Sequence, residues 1–297
     1  MDHKAFLTSL CAEDRQHLNT KSDAAGLVHL LFHLGTISGI SILIWLRVPF
    51  WQALLLPQGI ALVFLFTLLH ETSHATPFRT RWLNIVVGYV CGFLILIPAG
   101  WFRYFHFAHH RYTQNPDKDP ELASPKPETL TQYLRHISGL PVWIGQIRVL
   151  LRNALGRGDE VFIQERRHRF VTIESWILLA LYIAIAVAAI SLGGREILFI
   201  WLLPLIIGQP FLRLYLLAEH GRCPLVADMF ENSRTTFTIG LIRKLAWNMP
   251  YHAEHHAYPT VPFHRLPELH VLTRPHLKTT EHGYRRFHRK YLRWLRQ

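Results

Sequence analysis

Cysteine is almost missing from this chain. The three present, Cys11, Cys91 and Cys223, are widely spaced and odd in number. That excludes a disulfide framework and any Cys-x-x-Cys metal site, and it fits a reducing, cytosolic face. Acidic residues are also scarce, 20 against 32 Lys plus Arg, giving a formal net charge of +12. A secretory signal is lacking too. Asp2, Glu13, Asp14 and Asp23 interrupt the first 26 residues, and no small-residue cleavage site follows a short apolar core. The mature chain is therefore expected to keep its N-terminus. No internal repeat or low-complexity linker divides the sequence, so one domain over residues 1–297 is expected.

Charge is missing most conspicuously from long stretches. Leu27–Leu46 is apolar apart from His29, His33 and small hydroxyl residues, and Phe50–Leu69 has only Gln52, Gln58 and Thr67 as polar side chains. Ile173–Leu192 and Ile197–Leu217 are similar, the last containing Gln209 and Arg213. Each run approaches the ~20 residues that span a bilayer. A fifth window, Leu83–Gly100, is nearly uncharged but contains Gly88, Gly92 and Pro98. The fold predicted is all-α and integral to the membrane, with four transmembrane helices.

The excess of positive charge points to membrane orientation rather than to nucleic acid. Only Arg47 and Arg195 lie in the short connections between spans one and two and between three and four. Nearly all other Lys and Arg precede the first span, lie between Ala75 and Thr172, or follow Arg213. The positive-inside rule then puts both termini and the long central segment in the cytoplasm.

On that side lie three histidine clusters. His70-Glu71-Thr72-Ser73-His74 has the form HxxxH, while His106–His110 and His252–His256 both read HxxHH. Eight of the 20 histidines fall in these windows. Residues at i, i+3 and i+4 share a helix face, so each cluster presents its imidazoles as a block, and facing blocks make a metal site. The first cluster is also literally HExxH, the zinc protease signature, with Glu71 as base. That reading leaves six clustered histidines unused. A metal or haem carrier using His29 and His33 is a further alternative, against helix-packing hydrogen bonds for that pair.

A shared site constrains topology. One crossing through Leu83–Gly100 would put the first two clusters on opposite faces, and two crossings need ~40 residues. The window is therefore expected to be re-entrant or interfacial, returning with the help of Gly88, Gly92 and Pro98. The metal site would sit in a cytoplasmic helical cap. Thr129–Arg169 is expected to form helices at the membrane surface. The basic, aromatic tail Tyr284–Arg296 either does the same or is a solvated helix.

With their flanks, HFAHHRYTQNPDKDP from His106 and NMPYHAEHHAYPTVP from Asn248, the clusters resemble the integral-membrane fatty acid desaturase/hydroxylase superfamily over about Leu27 to Leu269. The form of the first cluster and the stretch NMPYHAEHH resemble the sphingolipid desaturase, carotenoid ketolase and bacterial hydroxylase branches more than the acyl-CoA Δ9 enzymes. The resemblance implies two iron ions, with zinc able to replace them in recombinant protein. It carries over as ligands His70, His74, His106, His109, His110, His220, His252, His255 and His256, with Asn248 as a further candidate. Asp117 and Asp119 become candidates for orienting imidazoles, or are simply turn residues. Glu71, Glu219 and Glu254 either support ligands or are solvated.

The activity implied is O2-dependent desaturation or hydroxylation of an unactivated C–H position in a lipid or alkyl chain, with a carotenoid ketolase as an alternative. The partners implied are membrane lipids and an external electron donor, ferredoxin or cytochrome b5 with its reductase. The sequence carries no cytochrome b5 signature, ferredoxin spacing or dinucleotide fingerprint. A bacterial inner membrane is the location expected.

Overall fold

The computed structural model describes residues 1–297. Four helical segments are long and apolar enough to cross a bilayer: Ala12–Trp45, Trp51–Ser73, Glu165–Ser191 and Leu198–His220. They cover the four runs expected from the sequence in all but one end residue each, and the protein is an all-α integral membrane protein. Its strands are β1 (Thr235–Phe237) and β2 (Thr280–His282), paired in parallel.

The second and fourth spans form the closest crossing, and glycine makes it possible. A Cβ at Gly59 would lie 2.1 Å from the Pro204 carbonyl oxygen, and one at Gly208 would lie 2.2 Å from that of Gly59. Small residues let helix backbones approach where the surrounding lipid supplies no hydrophobic drive. Gln58 and Gln209 are buried at the same level. The Gln58 amide donates to Ser41 Oγ (2.8 Å) and the Ile200 carbonyl (3.0 Å), linking three spans.

The window Leu83–Gly100 does not run straight. Helices Arg81–Leu94 and Ala99–Tyr112 meet at 101° across a short break. The Ile97 N–H closes onto the Gly92 carbonyl (2.8 Å), and Leu96 adopts φ 62°. A Cβ at Gly92 would lie 2.5 Å from the Ile97 oxygen, while Gly88 approaches Thr72 of the second span. Two of the residues expected to assist the return thus act by allowing close approach. The third-span residue Glu174 accepts from the N–H groups of Gly100 (2.6 Å) and Trp101 (3.1 Å). It thereby satisfies free donors at the start of the next helix.

Helices Leu130–Ile137 and Leu140–Ala154 lead from this elbow to the third span. The second leaves Leu140, Ile144, Ile147 and Leu151 exposed on one stripe, the pattern of a helix lying at a membrane surface. The C-terminal helix Tyr284–Trp294 instead buries Phe287 and Tyr291. There His288 bonds the Leu214 carbonyl (2.9 Å) and Tyr291 the Pro127 carbonyl (2.7 Å), so this tail is docked on the fourth span.

The Gly59–Gly208 crossing predicts that Gly208→Val lowers the melting temperature in detergent, at the ~1–3 kcal/mol scale of overpacking. Gly35→Ala in the first span, where a Cβ meets nothing within 4 Å, is expected to leave it unchanged. Equal melting of both variants would refute the crossing.

Candidate metal centre

The elbow brings the helix carrying the second histidine cluster back beside the first. His70 and His74 lie at the end of the second span, and His106, His109 and His110 on the helix Ala99–Tyr112. His220 closes the fourth span, and the short helix His252–Ala257 carries the third cluster. Residues in the left-handed backbone region flank these segments: Ala75, Gln114, Arg222, and the pair Trp247–Asn248. Such non-glycine conformations cost energy and concentrate where a chain must reverse sharply beside a functional site.

The nine histidines sort into two groups. His70, His74, His106, His110 and His255 can bring one ring nitrogen each within 4.8 Å of one another, and so can His109, His220 and His256. His252 joins the second group through its Nε2, 2.9 Å from Nε2 of His220. His255 and His256, neighbours in sequence, face different groups.

The nitrogens fit metal ions. His74 and His106 face each other Nε2 to Nε2 at 2.7 Å, and His109 and His220 at 3.2 Å. Two nitrogens ~2.1 Å from one ion and at right angles are ~3 Å apart. Both ring nitrogens of His70, His110 and His255, Nδ1 of His252 and Nε2 of His256 are buried without a hydrogen-bond partner. Each such orphan costs ~1–3 kcal/mol, and a cation at the centre of each group is what the donor set lacks.

Several ligand candidates have their far nitrogen fixed. Asp119 accepts from His109 Nδ1 (2.9 Å), Thr113 Oγ lies 3.1 Å from His256 Nδ1, and the Asn232 carbonyl 3.1 Å from His220 Nδ1. Accepting the Nδ1 proton leaves Nε2 as the free donor atom. Asp119 also accepts from the N–H groups of Gln114 and Glu121, tying the following loop to the site. Glu219 lies 3.4 Å from His252 Nδ1, within ion-pair range but without a hydrogen bond.

Other expected residues lie elsewhere. Asp117 is exposed in the turn, where its N–H donates to Asn115 Oδ1; two residues' separation from Asp119 points it away from the histidines. The Asn248 amide donates to the Phe263 carbonyl (3.0 Å) and so is turned toward the loop after the third cluster. Glu71 bonds Thr76, and Glu254 bonds Thr235 and His270, because both sit off the ligand face of their helices. Glu71 is therefore not poised as a protease base.

The sequence reading missed Glu121, whose Oε2 lies 3.4 Å from His109 Nε2 while Oε1 meets Lys126. Against the upward pull of burial, Lys126 and His109 hold this carboxyl well below its usual range. Its place two residues after Asp119 was the available signal. It also missed Glu174. His29 and His33 take their packing role: His33 bonds the Ala61 carbonyl (2.8 Å) and receives the Trp247 N–H (3.1 Å), and His29 packs on Trp247. That pair braces the turn entering the third cluster.

Burial makes the site a poor place for protons. It pushes His74 down to about 3, with the Arg103 charge adding to the effect, and His252, His255 and His256 well below their ordinary value, with neighbouring imidazoles adding there.

The match to known proteins agrees with this arrangement. The family model described as fatty acid desaturase matches residues 44–289, and the chain belongs to that family. The sn-1 oleoyl-lipid 12-desaturase of Picosynechococcus is 27% identical over 167 residues, 54% of this chain and 46% of that protein. The endoplasmic-reticulum omega-3 fatty acid desaturase of Nicotiana tabacum is 23% identical over 276 residues, covering 84% of this chain and 71% of the relative. The sn-1 acyl-lipid omega-3 desaturase (ferredoxin) of Nostoc is 36% identical over 90 residues, 30% of this chain and 23% of that protein. The match thus spans less than half the length of the two cyanobacterial relatives.

Two outcomes follow. Asp119→Asn is expected to weaken metal retention ~10–100-fold, the scale of losing an outer partner of a ligand histidine, whereas Asp117→Asn leaves it unchanged; metal analysis after graded chelation reads both. For metal-free protein, the depressed histidines require that the unfolded state bind protons first as pH falls. The contribution of these histidines to stability is then level above an ordinary histidine value of about 6.5 and declines below it. Thermal melting of metal-free wild type and His255→Ala from pH 8 to pH 5, on the order of two titration ranges, checks the sign; a wild type that gains on the variant as pH falls contradicts it.

Proposed function

We propose that this protein is an oxygen-dependent di-iron oxidoreductase that introduces a double bond into the acyl chain of a lipid. The observation that carries the reading is the sorting of nine histidines into two groups with convergent, orphaned ring nitrogens. His70, His74, His106, His110 and His255 would hold one iron, and His109, His220, His252 and His256 the other. When bound, the irons supply an oxidant derived from O2 that can take hydrogen from an unactivated C–H bond. Zinc fits the same nitrogens and would occupy them without that chemistry.

The chain's own residues bind, orient and exclude water. Asp119, Thr113 and the Asn232 carbonyl hold protons at Nδ1 of their histidines, keeping Nε2 inward. Glu121 places negative charge beside the ligand histidines. Buried His106, His109, His220, His252, His255 and His256 keep bulk water out. Val63, Phe66, Ile97, Leu205 and Leu212, with Gln209 and Arg213, line an apolar void of about 10 Å³ between the second and fourth spans, which is smaller than an acyl chain requires.

Each turnover removes two hydrogens from the chain. Together with two electrons and two protons from outside, they reduce O2 to two waters. The donor is a separate one-electron carrier. The distribution of Lys and Arg supports a site on the cytoplasmic side of the membrane. The relatives are named as desaturases of an oleoyl lipid, an acyl lipid and a fatty acid, which favours an acyl-chain substrate over a carotenoid and over the sphingolipid-like branch that the first cluster and the stretch NMPYHAEHH resemble.

The test is turnover of iron-loaded protein in nanodiscs with a bacterial lipid extract, O2 and reduced ferredoxin, followed by mass spectrometry. Loss of two hydrogens from an acyl chain is expected. Gain of one oxygen would make the enzyme a hydroxylase, and no oxygen-dependent product would refute the reading.

A further inference from the structure

A second candidate site, a cleft rich in basic residues, lies outside the metal centre. It has a volume of about 520 Å³ and sits between the C-terminal helix, β2 and the chain that follows the fourth span. Five of its lining residues are cationic, Arg222, Arg234, Lys278, Lys290 and Arg293, against one acid, Glu281. Glu281 is already engaged by Lys290 (2.6 Å) and Arg286 (3.3 Å). Lys278 meets Asp228 (2.9 Å) and Glu231 (2.8 Å) on the rim. Arg222 and Arg293 form no ion pair. Arg222 lies instead over the Trp294 ring at 3.9 Å, and Arg234 over Phe287 at 4.7 Å. Arg222 and Arg234 are thus held against aromatic rings, Lys278 and Lys290 are paired with carboxylates, and Arg222, Arg234 and Arg293 keep charges that no carboxylate neutralises.

The back wall of this cleft touches the second histidine group. The Arg234 N–H donates to the Glu219 carbonyl (2.8 Å), and its buried guanidinium donates to the Ala218 carbonyl. Two residues earlier, the Asn232 carbonyl meets His220 Nδ1 at 3.1 Å. From the cleft to a ligand imidazole the route is therefore Arg234, Ser233, Asn232 and one hydrogen bond. No comparable cationic surface with such a connection is offered by the exposed stripe of Leu140–Ala154, which is apolar.

We propose that this cleft is where a small acidic one-electron carrier docks and passes electrons to the second iron through the Asn232–His220 contact. The proposal rests on the di-iron desaturase reading. The carrier is oxidised by one electron at each docking, and two dockings supply the two electrons of a turnover. Clustered like charge steers an acidic partner and speeds encounter, with a strong dependence on salt. A shallow, aromatic-rimmed cleft suits a protein edge better than a deep ligand pocket.

The C-terminal helix supplies its own control, because one side faces the cleft and the other does not. Reduced plant-type [2Fe–2S] ferredoxin is the probe, with the full-length iron-loaded protein in nanodiscs of neutral lipid. Its Kd is measured for the wild type, for Lys278→Ser/Lys290→Ser/Arg293→Ser, and for Arg285→Ser/Arg289→Ser/Arg296→Ser. Stopped-flow oxidation of the carrier is followed at several salt concentrations. The cleft variant is expected to bind about tenfold more weakly or worse, the scale of removing three rim charges. Its salt dependence should flatten, while turnover driven by chemically reduced methyl viologen stays at the wild-type level. The control variant should change less than about twofold in Kd.

Equal weakening by both variants would overturn the proposal, since general charge would then suffice. So would unchanged ferredoxin binding, including the case where the cleft variant loses only affinity for vesicles containing anionic lipid. If ferredoxin binding follows the cleft but methyl viologen supports no desaturation, docking stands and the proposed reaction fails. If methyl viologen supports desaturation and ferredoxin binding ignores the cleft, the reverse holds.

Discussion

Convergence of nine imidazoles from four separate segments is the constraint on which the rest of this structure depends. Buried nitrogen atoms without partners are expensive, and nothing in the protein relieves them at His70, His110 and His255. The fold therefore invests in holding them together. The elbow at Ile95–Pro98 returns the second cluster to the side of the first. Glu174 satisfies the start of the helix that carries it, and the His33–Trp247 contact braces the turn before the third cluster.

The two groups are not equivalent in their surroundings. The second is enclosed by acceptors: Asp119 on His109, Asn232 on His220, Thr113 on His256, with Glu121 and Glu219 close by. The first rests mainly on imidazoles alone. The second also lies nearer the basic cleft, through the Asn232–His220 contact.

Much of this was legible in the sequence because its signals are local. Long uncharged runs mark spans whatever their neighbours do, and HxxHH on a helix turns its imidazoles to the site, although each such cluster is divided between the two groups and does not act as one block. The re-entrant elbow was legible indirectly, since a single site cannot be built across a bilayer. What was lost is what depends on orientation. Asp117 and Asp119 are two residues apart in one polar loop, yet only Asp119 reaches a histidine. Asn248 precedes the third cluster by one turn's worth of residues, but its left-handed backbone turns the amide to Phe263. Glu71 and Glu254 are adjacent to ligands along the chain and face away from them in space. Glu121, Glu174 and the basic cleft are brought into place by segments distant in sequence, which no local pattern reveals.

The central claim is that two metal ions, not one, are held by these histidines. It is tested most directly by titrating iron(II) anaerobically into metal-free protein and counting bound ions per chain at saturation. The account predicts two for the wild type, and one each for His255→Ala and His256→Ala, because these neighbours serve different groups. Saturation of the wild type at a single ion would contradict it.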